Sequence, residues 1–329
     1  MMRAAVVSLL ALGCNASFVA AIAPETDGNS GSASSAGTTE AAATSGTSAD
    51  GGESTEPFVC DRPTPLAGCD AAADPLRAPE VACYDGIAAA RFESLDPAAW
   101  RRARELGNAY WVSTESEAVL VLSTGTLPEP GVVGEVNLES GVADLAATNN
   151  DNPDGAALPG GIDGSALGSA FGGAPQDLIW FSFEATVPEG ASGYSIRVGF
   201  LSAAYPEDLE ADVSDLFVWW HDGESFTGNL ALWNESPANV QGLGPRMHEF
   251  SGDHPNLLRT GMDGAADGEP LGASTGWMQL RGPAEPGEVV RIVAALFDQS
   301  ALDRDTIVTL DGFAWECDAC TPGLDCGLQ

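Results

Sequence analysis

Hydrophobic positions in this chain recur with a period of two, and they do so only beyond Cys60. The clearest stretch is Tyr194–Phe200, where Tyr194, Ile196, Val198 and Phe200 alternate with Ser195, Arg197 and Gly199. That spacing predicts a strand with one face on a core. Val289–Phe297 is apolar except for Arg291, the pattern of a central strand buried on both faces. Shorter runs at Ala118–Ser123, Leu178–Glu184, Asp215–Trp220, Asn229–Trp233, Trp277–Leu280 and Thr306–Trp315 are separated by Gly, Pro, Asn and Asp. Together they predict an all-β fold, a jelly-roll-like antiparallel two-sheet β-sandwich with long loops. One short N-terminal helix is expected: Asp96 as N-cap, Pro97 in the first turn, Trp100, Ala103 and Leu106 on one face, and Gly107 at the end. Between Thr124 and Gln176 a Gly-, Asn- and Asp-rich excursion exceeds the usual loop length, and a binding face is expected there.

The pattern at the start is different. Met1-Met2-Arg3 precedes an apolar run, Ala4–Leu12, and then Gly13-Cys14. A charge followed by a run too short to span a bilayer is the form of a secretory signal, expected over residues 1–23. Small Gly13 before Cys14 resembles a lipobox, making Cys14 the candidate lipid anchor, although Ala11 stands where such signals prefer Leu. Ordinary cleavage after Ala21 is the alternative and would give a secreted protein. Residues 24–57 are Ser, Thr, Gly, Ala and acids, a composition that cannot bury enough surface to order itself, so a disordered tether is expected. A cysteine-containing segment (58–116), a β domain (117–317) and a cysteine-containing tail (318–329) follow. No later apolar stretch reaches bilayer length, so contact with a membrane is expected only through the N-terminal lipid.

The chain has seven cysteines. Assigning Cys14 to export leaves Cys60, Cys69, Cys83, Cys317, Cys320 and Cys326 as disulfide candidates, in two triplets flanking the β domain and placed to staple one to the other. Zinc at Cys317–Cys320 is the rival reading, but no second pair of matching spacing and no nearby His supports it.

Charge narrows the partners. Thirteen basic residues, all Arg, face 48 acidic ones, for a net charge of −35. Such a field repels phosphate backbones and excludes nucleic-acid binding as an expectation. It would attract divalent cations, and calcium prefers carboxylates gathered on turns. Asp208, Asp212 and Asp215 lie around one turn, and Asp303, Asp305 and Asp311 around another; these are the calcium candidates, with no cofactor required. For catalysis, His221, His248 and His254 lie in no HExxH or GxSxG pattern, so no catalytic residue is assigned. Adjacent Trp219 and Trp220 must point to opposite sheet faces, so one ring is a candidate for ligand stacking unless a second layer covers it. Tyr205 is the third aromatic binding candidate.

Residues 117–317 carry VLSTG (Val121–Gly125), FLSAAYPED (Phe200–Asp208), SDLFVWW (Ser214–Trp220), FTGNLALW (Phe226–Trp233), STGWMQLRGPAEPGE (Ser274–Glu288) and LFDQSALDRDTIVTLDGFAWEC (Leu296–Cys317). In order and spacing this stretch resembles the choice-of-anchor L domain of bacterial surface proteins. It departs from that pattern at Ala204, Ser214 and Gly312, where the family carries an acidic residue, Asn and Asn. The resemblance implies a surface-exposed β-sandwich without a defined activity. The expected function is an exported, lipid-anchored binding or adhesion module of the cell envelope, meeting a glycan or protein outside the cell. The alternatives are a structural envelope protein without a small ligand and a carboxylate-based hydrolase.

Overall fold

The computed structural model describes residues 62–69, 74–114, 116–138, 150–212, 214–266, 269–299 and 304–329. The expectations for the signal, the tether, Cys14, Cys60 and Asp303 lie outside the described residues. Residues 57–329 form one compact unit. Eleven strands build its two main sheets: β1 (Ile87–Glu93), β2 (Trp100–Ala103), β3 (Val119–Ser123), β4 (Gln176–Thr186), β5 (Gly193–Ser202), β6 (Leu216–Asp222), β7 (Thr227–Asn229), β8 (Ala273–Pro283), β9 (Val289–Asp298), β10 (Thr306–Glu316) and β11 (Gly327–Leu328). One sheet runs β1-β4-β9-β6-β7 and the other β11-β8-β5-β10-β3-β2, with every neighbouring pair antiparallel. This is the expected two-sheet sandwich.

Alternation sets what each sheet buries. Tyr194, Ile196, Val198 and Phe200 of β5 face the inter-sheet core, where they meet Phe181 and Phe183 of β4 and Ile292 and Ala294 of β9. The apolar run of β9 makes it the central strand of its sheet. The outer faces are apolar as well, so the molecule has three hydrophobic layers. Trp111, Leu257 and Met262 cover Val119, Val121 and Leu201 on one side. Ile162, Leu167 and Ala170 cover Leu216, Val218 and Trp220 on the other. The long excursion after Thr124 thus supplies part of the wall over one sheet, because an uncovered face of that size would be left against water.

Two expectations are corrected. Asp96 does cap a turn, accepting from the Ala98 amide at 2.7 Å, but the turn is a single 3-10 segment, Pro97–Ala99, and the chain then enters β2. Pairing of Trp100–Ala103 with β3 and burial of the Arg101 guanidinium, which donates to the Leu127 and Pro128 carbonyls, outweigh the helical signal. The α-helix among the described residues is α1 (Val240–Met247), capped by Asn239. The cysteine segment and the tail are parts of the sandwich rather than appendages, since they contribute β1, β2 and β11. The bridges Cys69–Cys83 and Cys320–Cys326 each close a loop inside one triplet, and Cys317 is disulfide-bonded as well, to none of these four cysteines.

Candidate functional site

Two regions concentrate polar side chains that the fold does not need for its sheets. The first is a rim where both sheets end together. Asp177 opens β4, Asp215 precedes β6, Asp298 closes β9 and Asp305 precedes β10. All four are buried. Asp215 accepts from the Thr124 hydroxyl at 3.1 Å, and that hydroxyl accepts from the Thr306 amide at 2.9 Å. Asn150 ties the rim together, donating to the Thr124 carbonyl at 2.8 Å and the Asp177 carbonyl at 3.3 Å. A Cβ at Gly125 would overlap the Asp305 carboxylate and force that side chain to shift.

Burial, reinforced by the charges of Asp298, Asp154, Asp305 and Asp96, pushes the Asp177 carboxyl up to about 7. Burial and the neighbouring Asp298, which also hydrogen-bonds to it, hold Asp215 well above the usual carboxylate range against the opposing Thr306 and Thr124 bonds. Two carboxyl groups in hydrogen-bond contact need a proton between them. Burial at the rim therefore favours the protonated form of both carboxyls.

The calcium candidates divide on this geometry. Asp215 and Asp305 meet at the rim. Asp208 lies on the 3-10 turn Glu207–Glu210, where Arg304 approaches it at 3.6 Å and also pairs with Glu207. Asp212 is exposed on a loop. Asp311 is fully buried on β10, bound at 2.8 Å by Arg197 and at 2.6 Å by the Ser113 hydroxyl. Among the described residues no three His, Cys, Asp or Glu side chains are grouped to hold a metal ion.

The aromatic candidates are buried too. Trp219 is 0 % exposed in the inter-sheet core, and its indole N–H donates to the Tyr194 hydroxyl at 3.2 Å. That hydroxyl lies 3.0 Å from His221 Nδ1. Burial pushes His221 down to about 4, against Glu288 and Asp222, so it is a neutral core group. Trp220 is 3 % exposed beneath the 162–170 wall, and Tyr205 is 5 % exposed. None of the three offers a ring face to a ligand.

The second region is a groove of about 920 Å³ on the flank where the β7 edge of one sheet meets the β11 edge of the other. One wall is the hairpin Leu232–Pro237, whose tip residues Asn234 and Glu235 are left-handed, with φ of 49° and 66°. The other wall is the disulfide loop Cys320–Cys326 and the C-terminal strand. The walls close on each other because Gly327 lies against the Leu232 backbone, where a Cβ would come within 2.8 Å of the Leu232 carbonyl oxygen. Phe226, Leu232, Trp233 and Leu324 supply apolar lining, and Glu235 and Asp325 supply charge.

Trp233, rather than the adjacent Trp219 and Trp220, lines the groove. Four of the eight tryptophans keep partial exposure: Trp100, Trp180, Trp233 and Trp277. Phe92 packs edge-on against Trp100. Arg91 covers Trp180 at 5.0 Å, and Arg197 covers Trp277 at 4.3 Å. Among the described residues Trp233 has no aromatic partner, no cation over its ring and no hydrogen bond from its indole. Its signal in sequence was its place at a Trp-Asn-Glu turn, the one strand-end tryptophan followed by residues that favour or tolerate a left-handed backbone.

No family model, no curated protein and no solved structure matches this chain.

Proposed function

We propose that this protein is an exported, non-catalytic binding module of the cell surface, and that the flank groove around Trp233 is its binding face. The observation that carries this reading is the partly exposed indole of Trp233, which lines a groove of about 920 Å³ with neither an aromatic nor a cationic partner over it, in a chain that pairs its other partly exposed tryptophans with a ring or an arginine. Aromatic side chains left at a concave surface are a common anchor for partners. Two disulfides within residues 69–83 and 320–326 suit an oxidising compartment and support export. No helix among the described residues is long and apolar enough to cross a membrane. Attachment through a lipid on Cys14, and membership of the choice-of-anchor L group, belong to the same proposal and rest on the sequence pattern.

The test is a binding screen of the full chain on glycan arrays and on extracellular proteins, with Trp233→Ala alongside. The expected outcome is a set of ligands retained by the native chain and lost by the variant, with unchanged melting. A ligand set that the variant keeps in full would place the binding face elsewhere and overturn the reading.

A further inference from the structure

The groove's chemistry narrows the ligand beyond a glycan or a protein, and the following step rests on the binding reading above. We infer that the groove takes a cationic side chain, the guanidinium or ammonium group of an arginine- or lysine-bearing segment of another protein, held over Trp233 between Glu235 and Asp325.

Trp180 and Trp277, on the outer faces of the two sheets, are each covered by an arginine of the same chain. An aromatic face attracts a cation through its quadrupole, and indole is the best of the aromatic faces for this. Trp233 stands in the same partly exposed condition without a cation of its own. The charged side chains lining its groove are both acidic, Glu235 and Asp325, and no arginine lines it. One Asp325 oxygen accepts from the Thr321 amide at 2.6 Å, which holds that carboxylate on the groove wall. Glu235 sits exposed at the hairpin tip. An indole in a groove whose charged side chains are both carboxylates is complementary to a positive, planar or compact donor group.

Charge also selects against other occupants. With a net charge of −35 on the chain and two acids in the groove, anionic sugars and phosphates are repelled. A neutral sugar could stack on Trp233 but would gain no charge attraction from the two carboxylates. The apolar rim, with Leu324 at 83 % exposure, fits the alkyl stem of Arg or Lys, which carries its charge at the end of an apolar chain.

The test uses the full chain and a short acetylated, amidated Gly-Arg-Gly peptide, compared with the same peptide carrying citrulline, in calorimetric titrations at 0.15 M salt. Saturable one-to-one binding of the arginine peptide is expected, with the citrulline peptide about tenfold weaker. Glu235→Gln and Trp233→Phe should each weaken the arginine peptide, while Glu224→Gln, which removes an acid outside the groove, should leave it unchanged. Equal affinity for both peptides, or an effect of Glu224→Gln as large as that of Glu235→Gln, would overturn the cation assignment. If a neutral oligosaccharide then binds in a Trp233-dependent way, the groove stands as a binding face and only its ligand class is wrong. If no ligand of either kind depends on Trp233, the binding reading itself fails.

Discussion

The rim and the flank groove both gather acidic side chains, yet they put them to opposite uses. At the rim, Asp177, Asp215, Asp298 and Asp305 are at most 3 % exposed, and burial, reinforced by their mutual repulsion, raises Asp177 and Asp215 and favours their protonated forms. In the groove, Glu235 and Asp325 stand on a hairpin tip and a disulfide loop where water reaches them. Burial therefore turns one group of acids into internal hydrogen-bonding elements and leaves the other free to act on a partner. In a chain with 48 acidic residues, their count says little until the fold has sorted them.

The comparison breaks most sharply where packing at the rim is tightest. Gly125→Ala would place a methyl group in the Asp305 carboxylate and should cost about 2–3 kcal/mol of unfolding free energy, read by urea denaturation. Peptide or ligand binding at the groove should be unchanged in that variant while it remains folded. A loss of binding in step with the loss of stability would show the two regions to be one unit.

A smaller effect sharpens the proton account. Asp177 has a backbone φ of 51°, a conformation that Asn tolerates, so Asp177→Asn changes the charge with little strain. The folded carboxyl titrates near 7 against an ordinary value of 3.8, so its neutral form stabilises the fold below about pH 4 and this contribution is lost as pH rises through 7. The variant should therefore be more stable than the native chain by on the order of 2 kcal/mol at neutral pH, with the gain vanishing near pH 4. His221 has the opposite sign. It falls from an ordinary 6.5 to about 4 in the fold, so its contribution is lost as pH drops from 6.5 towards 4. Asp177→Asn should thus leave a curve that declines on acidification. Melting with calcium and with chelator at pH 7 gives a further reading: superimposable curves fit protons at the rim, whereas a calcium-dependent rise would put a cation in their place.

Much of the fold was legible because period-two alternation is written residue by residue. Tyr194–Phe200 and Val289–Phe297 lie on strands in the expected orientation, and the sheet ends fall at the Gly, Pro, Asn and Asp clusters. What stayed hidden depended on tertiary contacts. β1, Ile87–Glu93, has three successive alanines and an irregular register, so it carries no alternation to read. α1 contains two glycines and a proline and is held as a helix by burying Val240, Leu243 and Met247 in the core. Asp96 signalled a helix start truthfully, but only the pairing of β2 with β3 determines that the turn stops after Ala99. For the sites, Asp215 and Asp305 were singled out by their position beside strands, while Asp177 became a partner only once β4 was placed against β9. Trp219 and Trp220 stand out by adjacency, and both are buried; Trp233 is distinguished by partial exposure without a ring or cation partner.

Trp233 as a partly exposed ring without a cation, in a groove whose charged side chains are acidic, is tested most directly by quenching of tryptophan fluorescence. Cesium should be drawn to Trp233 by Glu235 and Asp325, whereas iodide should favour Trp180 and Trp277 beneath Arg91 and Arg197. In Trp233→Phe the cesium-accessible fraction should disappear while the iodide-accessible fraction remains. Retention of cesium quenching in that variant would contradict the account.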